Sequence, residues 1–177
     1  MICDMVESVG WTFDVAENGK VALDLIAQRS NSAEGQFSCV VSDCIMPILD
    51  GWQLTRKIRQ LPYHKLPVIG LTGSVSEEDL ARCEEVGMDH VLTKPVKLAD
   101  LVKTVQDVVQ TARAAAAAAT AVAAAAAKQP VAGLAIAGLE QLPYVLLVDD
   151  DEFNLSIVQV QSGLRIQFGT SAPVANR

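Results

Sequence analysis

Val40-Val41-Ser42-Asp43-Cys44-Ile45-Met46-Pro47-Ile48-Leu49-Asp50-Gly51 is the stretch on which the reading of the whole chain turns. Residues 37–42 form an unbroken apolar run, the pattern of a strand buried on both faces of a parallel sheet. It ends on one carboxylate, Asp43. A Met-Pro turn follows, and Asp50-Gly51 opens a helix over residues 52–61 whose inward stripe is Leu54, Ile58 and Leu61. The stretch therefore sets an acid at the carboxyl end of a buried parallel strand, where open α/β sheets bind their ligands.

Working outward, the same alternation of strand and helix recurs. Ile2, Met5, Val6 and Val9 share one helical face, and Gly10 ends that helix. Trp11, Phe13 and Val15 alternate as a strand does, and residues 21–29 return as a helix with Val21, Ala22, Leu25 and Ile26 inward. Residues 67–71 are a second buried strand. Ser76-Glu77-Glu78-Asp79 is a capping-box variant for a helix that stops at Gly87. A short strand over residues 90–93 precedes a helix over residues 98–110 with Leu101, Val102, Val105 and Val109 inward. Such spacing suits βαβ units and a doubly wound parallel sheet. Up to residue 110 the count is four strands and five helices, beginning on a helix. A fifth strand, residues 144–148, comes only after a long alanine-rich stretch and ends on Asp149-Asp150-Asp151.

Asp43 with its Met46-Pro47 turn, Thr72 in Gly70-Leu71-Thr72-Gly73, Lys94 in Leu92-Thr93-Lys94-Pro95 and the triple aspartate occur together in one chain. Individually each is weak, since an acidic run is usually a solvated turn. Jointly they resemble the receiver domain of two-component response regulators, the CheY-like family. The resemblance implies a flavodoxin-like, doubly wound, parallel five-stranded sheet of order 2-1-3-4-5. In that order the strand bearing the acidic cluster sits between its second and third strands. Here that first strand is supplied from the C-terminal segment. Without it, the strands at residues 11–15 and 37–42 would leave backbone groups unpaired in the interior. Residues 1–110 are thus expected to be a receiver lacking its first strand, and 111–142 an alanine-rich linker. Residues 143–161 would be receiver strand 1 with the start of helix 1, and 162–177 an unassigned tail. A circular permutation, a fragment of a tandem or hybrid histidine kinase, and exchange of the strand between two chains all fit this order.

The resemblance also implies roles. Asp43 would accept a phosphoryl group from a histidine kinase or histidine phosphotransfer protein, and would bind Mg2+ together with Asp150, Asp149 (largely through water) and the backbone carbonyl of Ile45. Lys94 would contact the phosphoryl oxygens, and the Thr72 hydroxyl would turn toward them. Gly73 stands where alanine is more usual. Val91 stands where an aromatic switch residue often sits, which puts the aromatic half of the switch in doubt. Such a domain catalyses its own phosphorylation and dephosphorylation and carries no separate catalytic domain.

Bulk properties exclude other classes. A net charge of -7 and the lack of any basic run argue against a nucleic-acid surface. The alanine tract over residues 112–127 is interrupted by Arg113 and falls short of the ~20 apolar residues of a membrane span. It reads as a helical or mobile spacer. The cysteines Cys3, Cys39, Cys44 and Cys83 lack metal-ligand spacing and are expected to be buried reduced thiols of a cytoplasmic protein. His64 and His90 are isolated. The Asp149-Asp150-Asp151 run superficially fits the nucleophile loop of haloacid-dehalogenase-type phosphatases, but too little sequence follows it for such a domain. The remaining alternative is an interaction module, or an inert fragment of a hybrid kinase, that keeps the fold without phosphorylation.

Overall fold

Five short parallel strands form the centre of the molecule: β1 (Thr12–Ala16), β2 (Cys39–Asp43), β3 (Val68–Thr72), β4 (His90–Thr93) and β5 (Tyr144–Val148). This computed structural model describes residues 2–30, 36–61, 65–73, 76–126 and 142–151. The sheet order is β1-β5-β2-β3-β4, so the last strand of the chain lies between the first two. Thr12–Ala16 pairs with Tyr144–Val148 on one side, and residues 39–42 pair with 145–148 on the other. The strand expected to fill the gap fills it.

Period-two alternation along β5 explains why it fits there. Val145 and Leu147 face a core shared with α1 (Ile2–Ser8) and α5 (Leu98–Ala126). Leu146 and Val148 face the opposite core, built with α2 (Gly19–Ser30) and α3 (Gly51–Gln60). All four side chains are essentially inaccessible to water. At its amino end, the Ser38 and Tyr144 backbones are tied by a 2.7 Å hydrogen bond, and the Arg29 guanidinium lies 4.3 Å above the Tyr144 ring while its Nε bonds Asp14 at 2.9 Å.

The helix ends follow the expected chemistry. Asp50 caps α3 by accepting from the Gln53 N–H, and Ser76 caps α4 (Glu77–Val86) by accepting from the Asp79 N–H. Gly87 closes α4 in the left-handed region at φ 84°, a conformation that costs glycine no Cβ clash.

The last helix departs from expectation. Instead of ending at Gln110, α5 runs 29 residues to Ala126, roughly 43 Å at 1.5 Å per residue. No glycine or proline lies between Gln110 and Ala126 to stop it, and alanine is the strongest helix former, so the tract carries the helix on without needing a core to pack against. The first part of the 111–142 linker is therefore helix. No helix among the described residues is long and apolar enough to cross a membrane. The start of helix 1 beyond Asp151, the tail 162–177 and His64 lie outside the described residues. His90 is exposed on β4.

Candidate phosphoacceptor site

Each candidate residue sits at the carboxyl end of a strand, and the parallel sheet brings those ends to one edge. Asp43 ends β2, Thr72 ends β3, Lys94 follows β4, and Asp149, Asp150 and Asp151 follow β5. Register does the alignment: Ser42 pairs with Val148, and Asp43 pairs with Leu71. A Lys94 N–H to Thr72 carbonyl bond of 2.7 Å continues the β3–β4 ladder one step further, and Lys94-Pro95 is a cis peptide.

The side chains converge. Lys94 Nζ lies 2.6 Å from Asp43 Oδ2 and 3.3 Å from Asp149 Oδ2. Asp149 is buried, and its Oδ1 accepts from the Asp151 N–H at 2.9 Å. One carboxylate oxygen from each of Asp43, Asp149 and Asp150 lies within 4.8 Å of the others. Asp150 is exposed, leaving a solvent side to the cluster. The Ile45 N–H points back at Asp43 Oδ1 over 3.4 Å. Thr72 is buried beside this edge, and the space a side chain would take at Gly73 is open.

Burial raises the Asp43 carboxyl above its ordinary value, against the opposing pull of the Lys94 hydrogen bond and charge; the Asp149 carboxylate adds to the rise. Burial alone would lower Lys94, but bonds and charges from Asp43 and Asp149 outweigh it and raise the ammonium. The cluster thus holds more negative charge than one lysine neutralises, which is the electrostatic condition for binding a cation.

Two backbone features hold the Asp43 loop. Gly51 leaves no room for a side chain: a Cβ there would run into the Asp43 carbonyl and the Cys44 Cα, and its N–H bonds the Cys44 carbonyl at 3.1 Å. Ile48 has φ 70° with its side chain 76 % exposed. Such a backbone is a genuine outlier for a β-branched residue. Nothing in the local sequence marks it, because glycine or asparagine is the usual residue at a left-handed position.

The family model for the response regulator receiver domain matches residues 2–106. The chain belongs to that family. This receiver is 35 % identical over 113 residues to the sensor histidine kinase RcsC of Salmonella typhi, a match that covers 64 % of this chain and 11 % of that protein. It thus spans about a tenth of the length of that relative. Among solved structures it is similar to the receiver domain of a Pseudomonas aeruginosa sensor histidine kinase, whose structure has a magnesium ion coordinated in the active-site cleft. There the identity is 27 % and the TM-score 0.52, over 62 % of this chain and 85 % of that one. Chemotaxis protein CheY4 of Vibrio cholerae gives 28 % and 0.52, over 61 % and 86 %. The family match stops short of β5, so the strand that carries Asp149 and Asp150 comes to the receiver from outside the matched segment.

Proposed function

We propose that this receiver takes a phosphoryl group on Asp43 from a phosphohistidine of a histidine kinase or phosphotransfer protein. One observation carries the reading: the residues after β5, far away in sequence, bring Asp149 and Asp150 beside Asp43, with Asp149 under the same lysine as Asp43. In the transfer, an Asp43 carboxylate oxygen forms the new bond to phosphorus, the phosphorus–nitrogen bond breaks, and the imidazole leaves. Lys94, which spans Asp43 and Asp149 at rest, is within reach of a group attached to Asp43 and would donate to its oxygens. The Thr72 hydroxyl would supply a second donor. Val91, half-buried against the cluster under α4, offers no aromatic ring to follow it.

The donor set fits Mg2+. The ion takes oxygen ligands at about 2.1 Å and keeps several waters, so it needs only one or two carboxylates from the protein. Asp43 and Asp150 are the direct ligands in this reading, with Asp149 acting through water and Ile45 contributing its backbone carbonyl. Bound there, the ion would neutralise the oxygens of the transferred group and hold Asp43 ionised. Residues 1–110 and 143–161 make up the receiver, and 111–142 join its two parts. Completion of the sheet within one chain corresponds to a monomer in sedimentation, whereas a dimer would put exchange of β5 between chains in its place.

The deciding experiment is the intact mass of the purified protein after incubation with Mg2+ and an acyl phosphate. One added phosphoryl group, absent in Asp43→Asn, is the expected result. A folded protein that adds none would leave the interaction module as the reading.

A further inference from the structure

At the amino edge of the sheet, opposite Asp43, a cleft of about 390 Å3 lies below the starts of β2 and β3. The phosphoryl chemistry does not use it. One wall is a single face of α5, where Val109, Ala112, Arg113 and Ala116 follow one another at i, i+3, i+4 and i+7. The facing wall is Ile26 of α2 with Phe37 and Leu66, which lead into β2 and β3. Ile26 belongs to the core on one side of the sheet and Val109 to the core on the other, so the cleft crosses the end of the sheet. Its room comes from the sequence of α5. Past the apolar stripe the helix continues on alanine, and Ala112 and Ala116 present only a methyl group where a larger side chain would fill the space.

We propose that this cleft binds a small amphipathic anion, an unbranched alkyl carboxylate of medium chain length. Three arguments support it. The first is size: the volume falls within the roughly 300–1,000 Å3 of small-ligand pockets. The second is the character of the walls, which are mostly aliphatic. The Phe37 ring is already engaged by Tyr144 at 4.9 Å and by the Arg29 guanidinium at 5.4 Å, so an alkyl tail suits the cleft better than a ring that would have to stack. The third is charge. Lys65 and Arg113, the charged residues that line the cleft, are both cations in a chain of net charge -7. Among the described residues no carboxylate lines it, and Lys65 is exposed without an ion pair or hydrogen bond there. A planar guanidinium beside an ammonium matches a carboxylate head.

The cleft also touches the seat of β5. Ser38 lines it, and Ser38 and Tyr144 are bonded in both directions: the Ser38 N–H donates to the Tyr144 carbonyl at 2.7 Å, and the Tyr144 N–H donates to Ser38 Oγ at 3.2 Å. An anion held between α5 and the entry to β2 braces the strand that leads to Asp149 and Asp150. Its binding therefore stabilises the folded chain by mass action. This site lies across the sheet from the carboxylate cluster and stands or falls without the phosphoryl reading.

The test is isothermal titration of the full chain with sodium octanoate, set beside 1-octanol, which has the tail without the charge, and butyrate, which has the charge without the tail. Octanoate is expected to bind in a single site. The other two should bind at least about tenfold more weakly, the worth of one charge-assisted hydrogen bond in the case of octanol. Ala116→Leu fills the cleft with a residue that keeps α5 helical, and loses octanoate binding. Lys65→Gln combined with Arg113→Gln brings octanoate down to the level of octanol. No binding by the wild type, undiminished binding by Ala116→Leu, or octanol or butyrate binding as tightly as octanoate overturns the proposal. Should Ala116→Leu fail to fold, nuclear Overhauser contacts in the wild-type complex decide. Contacts from the octanoate chain to the Ala112 and Ala116 methyl groups support the site, and contacts confined to other residues refute it.

Discussion

Asp43 and Asp149 stand side by side because Ser42 pairs with Val148, and the Lys94 ammonium bridges both carboxylates at 2.6 and 3.3 Å. The site is therefore a product of strand register. Slipping β5 by one residue would exchange its two side-chain sets between the two cores and move the acidic cluster along the edge, so the packing of each core also specifies the chemistry.

If Asp43, Asp149 and Asp150 hold Mg2+, magnesium stabilises the folded state by mass action. At a hundred times its dissociation constant the gain is about 2.7 kcal/mol. For a chain of this size that is roughly 5–10 °C in Tm. Thermal melts with and without Mg2+ will show the rise in the wild type, and Asp150→Asn will lose most of it. An equal shift in that variant would remove Asp150 from the ligand set.

Without metal, the Asp43 charge is a cost to the fold. Its folded-state pKa lies above the unfolded one, so the native state binds the proton more tightly, and stability falls as pH rises through the window between the two values. Lys94 acts oppositely: its folded pKa is raised, so its contribution is complete below the unfolded value and is lost only as pH rises through the folded one. Asp43→Asn is accordingly expected to be more stable than the wild type at pH 7 in a chelating buffer, with the difference shrinking toward pH 4. Urea melts at the two pH values measure this. A destabilised Asp43→Asn at pH 7 would mean that the Lys94 bond outweighs burial.

Ile48 offers a cleaner test of strain. A β-branched residue at φ 70° costs of the order of 1–3 kcal/mol. Its side chain is mostly in water, so little burial is lost on replacement. Asparagine tolerates the left-handed region. Ile48→Asn will raise the urea midpoint by an amount equivalent to about 1 kcal/mol. An unchanged or lower midpoint would show that the exposed isoleucine contributes packing that outweighs the strain.

These cases show where the sequence was readable. Alternation in β1, the unbroken apolar runs of β2, β3 and β5, and the caps at Ser76 and Gly87 are local signals, and each points to the element the structure has. The acids and Lys94 were readable because they end strands, and parallel strands share one edge. The Asp14–Arg29 pair needs α2 packed on β1, and the seat of Arg29 on Tyr144 arises only when β5 is in place, so no local pattern announces them. The alanine tract reads as a helical or mobile spacer, and only its continuity with α5 is not announced, because the apolar stripe ends near Gln110 although helix propensity does not. The meeting of Cys44 with Cys83 joins a strand end to a helix far along the chain.

The insertion of β5 also predicts where the fold is weakest in construction and strongest in consequence. Leu146 is fully buried between β1 and β2, against Leu54 and Ile58 of α3 and Ala22 and Ile26 of α2. Truncating such a residue to alanine costs about 2–5 kcal/mol through lost transfer and the cavity left behind. A β5 bound only loosely at the end of a long connection would instead detach, leaving the other four strands folded. The two cases separate in a urea melt, in a Trp11→Phe background, followed both by Trp52 emission and by far-ultraviolet circular dichroism. Leu146→Ala is expected to lower the midpoint with the two signals still coincident, because β1 and β2 cannot pair with each other once β5 leaves. Two separated transitions, with Trp52 reporting the later one, would mean that residues 2–106 keep a folded sheet without the strand and that the carboxylate cluster is an optional assembly.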